Sequence, residues 1–192
     1  MGLKLAPNWK PNDIEIIRYK DNYPLFVIVG AEISDGYVNA VFYKKSKTDT
    51  MKYAFEHGHP GFGIVFSPSG KQVLFQDYWC AMNEESFILP TSAFDKIDEH
   101  KNEEGGKYGL VFHGTFWGQA FKFEPYIKHA IGGIDRCVHL MITGVEWLDE
   151  THVKTNVFAN YCNIGGKLNP DGDEMECIID ITNGKVNGLK KI

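Results

Sequence analysis

The sequence predicts an all-β protein, mainly antiparallel, with about ten strands and one short helix. Three observations carry that expectation. Short runs of β-branched and aromatic residues recur along the chain, turn dipeptides such as Asp35-Gly36 and Asn183-Gly184 punctuate them, and one stretch alone has clear helical spacing. The runs do not alternate with regular helices, which argues against a parallel α/β sheet. With 192 residues, 43% hydrophobic and 23% charged, the chain has the size and composition of one ordinary globular domain.

Residues 1–13 contain Pro7, Pro11, Asn8 and Asn12 and read as an irregular N-terminal arm, with a single domain over 14–192. Ile14–Tyr19 starts the first strand, and the apolar stretch Leu25–Val29 is the second. Ser34-Asp35-Gly36 supplies the positive φ of a tight hairpin turn into Tyr37–Tyr43. Thr48–Phe55 fits either a short helix or a strand. Gly63–Phe66, the turn Pro68-Ser69-Gly70 and Gln72–Trp79 form another hairpin. Thr91–His100 follows Pro90, opens with capping residues and places Phe94 and Ile97 three apart, so it is the expected helix. Strands resume at Tyr108–Phe112, Gln119–Ile127, Arg136–Thr143, Val153–Phe158 and Met175–Thr182, and Asn183-Gly184 turns into a last arm, Lys185–Leu189.

Alternation assigns faces. Val138, Leu140 and Ile142 share one face, with His139, Met141 and Thr143 on the other; Phe121 and Phe123 oppose Lys122, Glu124 and Tyr126. A second face mixing His, Glu, Tyr and Met is unlike a plain solvent face, and in a closed barrel it would line a cavity. A lipocalin-like, calycin-type barrel is therefore the favoured architecture for 14–192, with a β-sandwich as the alternative. The aromatic share of 14% (13 Phe, 9 Tyr, 4 Trp) suits either one.

His139 and His113 are the candidate general acid–base groups, because an imidazole titrates near neutral pH. Glu124 is the expected partner and Tyr126 a hydrogen-bond donor, if their strand faces the same cavity. Trp79, Phe116, Trp117 and Met141 would shape the ligand pocket, the Phe116-Trp117 pair being presented between Gly114 and Gly118. On a strand, His57 and His59 would project to one side about 7 Å apart, a spacing that suits a shared metal. The Gly- and Pro-rich string Glu56-His57-Gly58-His59-Pro60 reads better as a loop, so no metal and no cofactor is expected. Asn169–Glu174 lacks the spacing of a calcium loop, and Asp149-Glu150 reads as a turn between strands rather than as half of a carboxylate pair. Nucleophile-elbow, phosphate-loop and dinucleotide fingerprints are missing from the sequence.

Twenty Lys and Arg against 25 Asp and Glu give a net charge of −5, so no whole-protein basic field exists for nucleic acid or an anionic membrane. No apolar window is long enough to span a bilayer, and the N-terminal residues carry neither a signal-peptide core nor a myristoylation pattern. Cys80, Cys137, Cys162 and Cys177 form no C-x-x-C pair, and a cytoplasmic location with reduced thiols is expected. The functional expectation is binding of a small, partly apolar molecule in a β-barrel cavity, with an acid–base isomerase, cyclase or lyase step left open. The alternatives are a carbohydrate-binding β-sandwich module and a non-enzymatic structural or interaction protein. The expected partner is a small-molecule ligand, and self-association is left open.

Overall fold

The computed structural model describes residues 10–33, 36–57, 62–77, 86–100, 120–131, 138–161 and 172–192. Their twelve strands form three four-stranded antiparallel sheets, each a meander of consecutive strands. The first sheet holds β1 (Lys10–Arg18), β2 (Leu25–Ile33), β3 (Gly36–Lys44) and β4 (Lys52–His57). The second holds β5 (Phe62–Phe66), β6 (Gln72–Asp77), β7 (Phe87–Pro90) and the two-residue β8 (Phe121–Lys122). The third holds β9 (Val138–Trp147), β10 (His152–Tyr161), β11 (Asp173–Asp180) and β12 (Lys185–Lys191). The all-β, antiparallel expectation holds. The described strands do not close into a barrel.

Two interiors separate the sheets. Phe26, Ile28, Val41, Tyr43 and Phe55 of the first sheet pack against Ile64, Val73, Phe75, Phe87 and Leu89 of the second. Leu74 and Ile88 of the second sheet join Leu140, Ile142, Val153, Val157, Ala159, Met175, Cys177 and Ile179 of the third. The second sheet is thus the middle layer. In β6 the consecutive residues Val73, Leu74 and Phe75 are each 0% exposed, because odd positions face one interior and the even position faces the other. The first interior is filled by aromatic rings: Phe26 meets Phe75 edge-on at 5.7 Å and Phe94 at 5.1 Å, and Phe75 stacks on Phe87 at 5.0 Å. The first sheet also has an apolar outer face, where Leu25, Val27, Val29, Ala40 and Phe42 cluster with Tyr23 and Met51.

Strand β1 begins at Lys10, inside the segment read as an irregular arm. The ladder to β2 slips between Pro11 and Asp13, and β1 lies at the end of the strand order, where the missing proline N–H costs least. The ambiguous Thr48–Phe55 stretch resolves as β4 from Lys52 onward. Strand β7 went unread in the sequence, although the run Phe87-Ile88-Leu89 marks a strand covered on both faces.

The helix expected over Thr91–His100 is present as a 3-10 helix. Thr91 anchors it: its N–H donates to the Lys71 carbonyl at 2.8 Å and its Oγ1 to the Gly70 carbonyl at 2.7 Å. Phe94 then inserts fully buried into the first interior.

The strand expected over Gln119–Ile127 is corrected. Among its described residues only Phe121–Lys122 pairs as a strand, and Glu124–Ala130 is the α-helix α1. Pro125 sits in the first turn, where its missing N–H is harmless, and Phe123 and Ile127, four apart, are both fully buried on one face. The alternation of Phe121 and Phe123 imitated a strand across what is a strand-to-helix junction.

Candidate functional site

Carboxylate-centred bonds lock the middle and third sheets together. Ser67 and Ser69 at the β5–β6 turn both donate through Oγ to Glu150 Oε1 at 2.6 Å, and the Ser69 N–H donates to Oε2 at 2.9 Å. Burial pushes the Glu150 carboxyl upward, but the bonds from Ser67 and Ser69 more than reverse it, and its pKa lies below the ordinary value. The Trp147 indole N–H donates to the Val65 carbonyl at 3.3 Å, a second tie between the same two layers. Next to this brace, Asp149 accepts from the backbone N–H groups of Thr151 at 2.7 Å and His152 at 2.8 Å, and its Oδ2 lies 3.0 Å from His152 Nδ1. The Thr151 backbone bond, then the His152 contact, hold the Asp149 carboxyl down to about 2.

At the other end of β6 the polar bookkeeping fails to close. Gln76 is 2% exposed, and its Nε2 is buried with no hydrogen-bond partner among the described residues. It lies on the same side of β6 as Leu74, which faces the third sheet. Directly opposite it in the ladder is Gly63 of β5, which has no side chain. On the other flank the ladder ends at Phe75↔Phe87, and the residue before Phe87 is Ser86, which is 2% exposed. The donor thus stands opposite a glycine, at the end of the buried run Val73-Leu74-Phe75. Leaving such a donor unpaired costs roughly 1–3 kcal/mol, which marks the position as one where stability has been given up.

Of the expected site residues, the structure describes the side chains of Glu124, Tyr126 and Met141. Glu124 and Tyr126 lie on α1, not on a strand. Glu124 pairs with Lys128 one turn on. Tyr126 stacks on Phe121 with ring centroids 4.9 Å apart and planes 3° from parallel, and Gly184 sits against its ring. Met141 is half-buried in β9 opposite Phe158, between Leu140 and Ile142, which face the second interior, so it belongs to the outer face of the third sheet. The backbone of His139 pairs with Asn160 in the same ladder, and its side chain lies outside what is described. His113, Trp79, Phe116 and Trp117 lie outside the described residues, as does His59.

Comparison with known protein families, with curated proteins and with solved structures gave no match. The chemistry must be argued from the residues themselves. Among the described residues no group of three or more His, Cys, Asp or Glu could hold a metal ion, and no helix is long and apolar enough to cross a membrane. Cys177 is buried and free, and burial, with Glu176 beside it, pushes its thiol up to about 11, the state of a packed hydrophobe rather than a nucleophile. Gln76 was not singled out from the sequence. It is a lone amide at the end of the apolar run Val73-Leu74-Phe75, a pattern that does not by itself show burial on both faces.

Proposed function

We propose that the protein binds a small, partly apolar molecule between its middle and third sheets, at the Gln76 end of β6. The observation that supports this is the buried Gln76 Nε2, opposite Gly63 in the ladder and without a hydrogen-bond partner among the described residues. Interlayer sites of this kind are mostly apolar, with a few placed polar groups that fix orientation. The reading is one of binding: the two described members of the expected acid–base set, Glu124 and Tyr126, are engaged by Lys128 and Phe121 on the surface of α1. It does not need a closed barrel, because a site between two packed layers serves as well.

Native mass spectrometry of the protein purified without denaturant tests the proposal. A small-molecule adduct should appear on the wild-type chain and disappear from Gly63→Val, whose side chain fills the space beside the amide. An adduct carried equally by both would place the ligand elsewhere. The lack of any adduct, together with no thermal shift across a diverse small-molecule library, would refute binding.

A further inference from the structure

Given binding at Gln76, we infer that the ligand is a neutral molecule presenting a carbonyl-type oxygen, and that Gln76 is the residue that selects it. The inference rests on the reading above and adds the ligand's chemistry to it.

Gln76 offers the two N–H groups of its amide nitrogen, with no acceptor among the described residues. The described side chains of this interior include Leu74 and Ile88 from the middle sheet and Leu140, Ile142, Val157 and Ala159 from the third, with Met175 and Cys177 as the sulfur-bearing members. The aliphatic ones cannot hydrogen bond, and the two sulfurs do so only weakly. Thr155, also fully buried, donates its Oγ1 to the Gly144 carbonyl at 3.1 Å and is engaged there. The described surroundings thus match one acceptor on an otherwise apolar body.

Charge decides between kinds of acceptor. A carboxylate has about four lone-pair directions to satisfy, and a single amide nitrogen among mainly aliphatic side chains leaves at least half of them bare. Desolvating an anion there without a cation costs far more than the single bond returns. A ketone, ester or amide oxygen asks for one or two donors and carries no net charge. A hydrocarbon would enter the same site but leave Nε2 unpaired.

Three probes of closely similar size separate these cases: acetophenone, ethylbenzene and benzoate, measured by ligand-observed NMR. On the wild-type chain acetophenone should bind about tenfold more tightly than ethylbenzene, the worth of one buried hydrogen bond, and benzoate more weakly than either. Gln76→Met keeps the volume and removes the amide. It should abolish the preference for acetophenone over ethylbenzene. Gln76→Leu is the second variant should the methionine chain fold poorly. Equal binding of acetophenone and ethylbenzene, or a preference for benzoate, would overturn the neutral-carbonyl inference while leaving the binding site in place. Failure of all three to bind would overturn both.

Discussion

Glu150→Ala would strand the hydroxyls of Ser67 and Ser69 and the Ser69 N–H at the junction of two sheets. The carboxylate is partly exposed, so the expected loss is about 1–2 kcal/mol in chemical denaturation. Glu150 and Asp149 both have folded-state pKa values below their ordinary ones. The stabilisation they give is therefore complete above the ordinary carboxylate range and is lost as pH falls through their folded values. For Asp149 that window runs from the ordinary aspartate value down to about 2, and an NMR titration of its carboxyl carbon should show a midpoint there. A midpoint near 4 would mean that the turn does not hold it. Gln76 predicts the opposite sign for a substitution. Since its buried Nε2 lacks a partner among the described residues, Gln76→Leu in the ligand-free chain should raise stability by about 1 kcal/mol, or the melting temperature by about 2–4 °C. A native amide at this position is then more easily understood through binding than through folding.

Among the elements, α1 and the β11–β12 turn depend on each other through one glycine. Gly184 has φ +75°, and a Cβ there would come within 1.9 Å of the Tyr126 ring. Gly184→Ala should cost about 1–3 kcal/mol from backbone strain, plus the clash. Adding Tyr126→Ala removes the clash and not the strain, so the double variant should be more stable than the sum of the two singles, measurable as a double-mutant cycle. Simple additivity would show that the ring does not bear on the turn. Gly184 was legible in advance: Asn183-Gly184 announces a positive φ, as Pro68-Ser69-Gly70 does for Gly70 at +73°. The hairpins of the first and third sheets were legible for the same reason, since turn chemistry is local. The 3-10 helix was legible in place from its caps, though not in its winding. The junction at Phe121–Ala130 was not legible, because two residues of strand, then a helix with Phe123 and Ile127 inward, give the apolar spacing 121, 123, 127, which a period of two fits at its first step. Site residues were harder still. Their roles depended on which faces meet across layers, and Glu124 and Tyr126 were assigned to a strand face where the chain forms α1.

The layering itself follows from β6, whose residues serve both interiors. Leu74 faces the third sheet, yet its loss should be felt in the first. Leu74→Ala, at about 2–4 kcal/mol, should accelerate hydrogen exchange not only in β9 and β10 but also in β2 and β3, on the far side of the middle layer. Acceleration confined to the third sheet would show that the layers unfold independently. The two kinds of strand differ in burial, since β6 buries Val73, Leu74 and Phe75 in succession while β11 buries Met175, Cys177 and Ile179 and leaves Glu176, Ile178 and Asp180 partly exposed. The sequence does not separate them, because Cys177-Ile178-Ile179 is an apolar run of three as well. The order of the meanders also bears on synthesis. During translation the first four strands leave the ribosome well before β6 and β7, so Phe26, Val41 and Phe55 have no Phe75 or Phe87 to shelter them. A nascent chain halted at that stage carries a sticky aromatic surface, and it is there that chaperones, or neighbouring nascent chains on the same messenger, would find their opportunity.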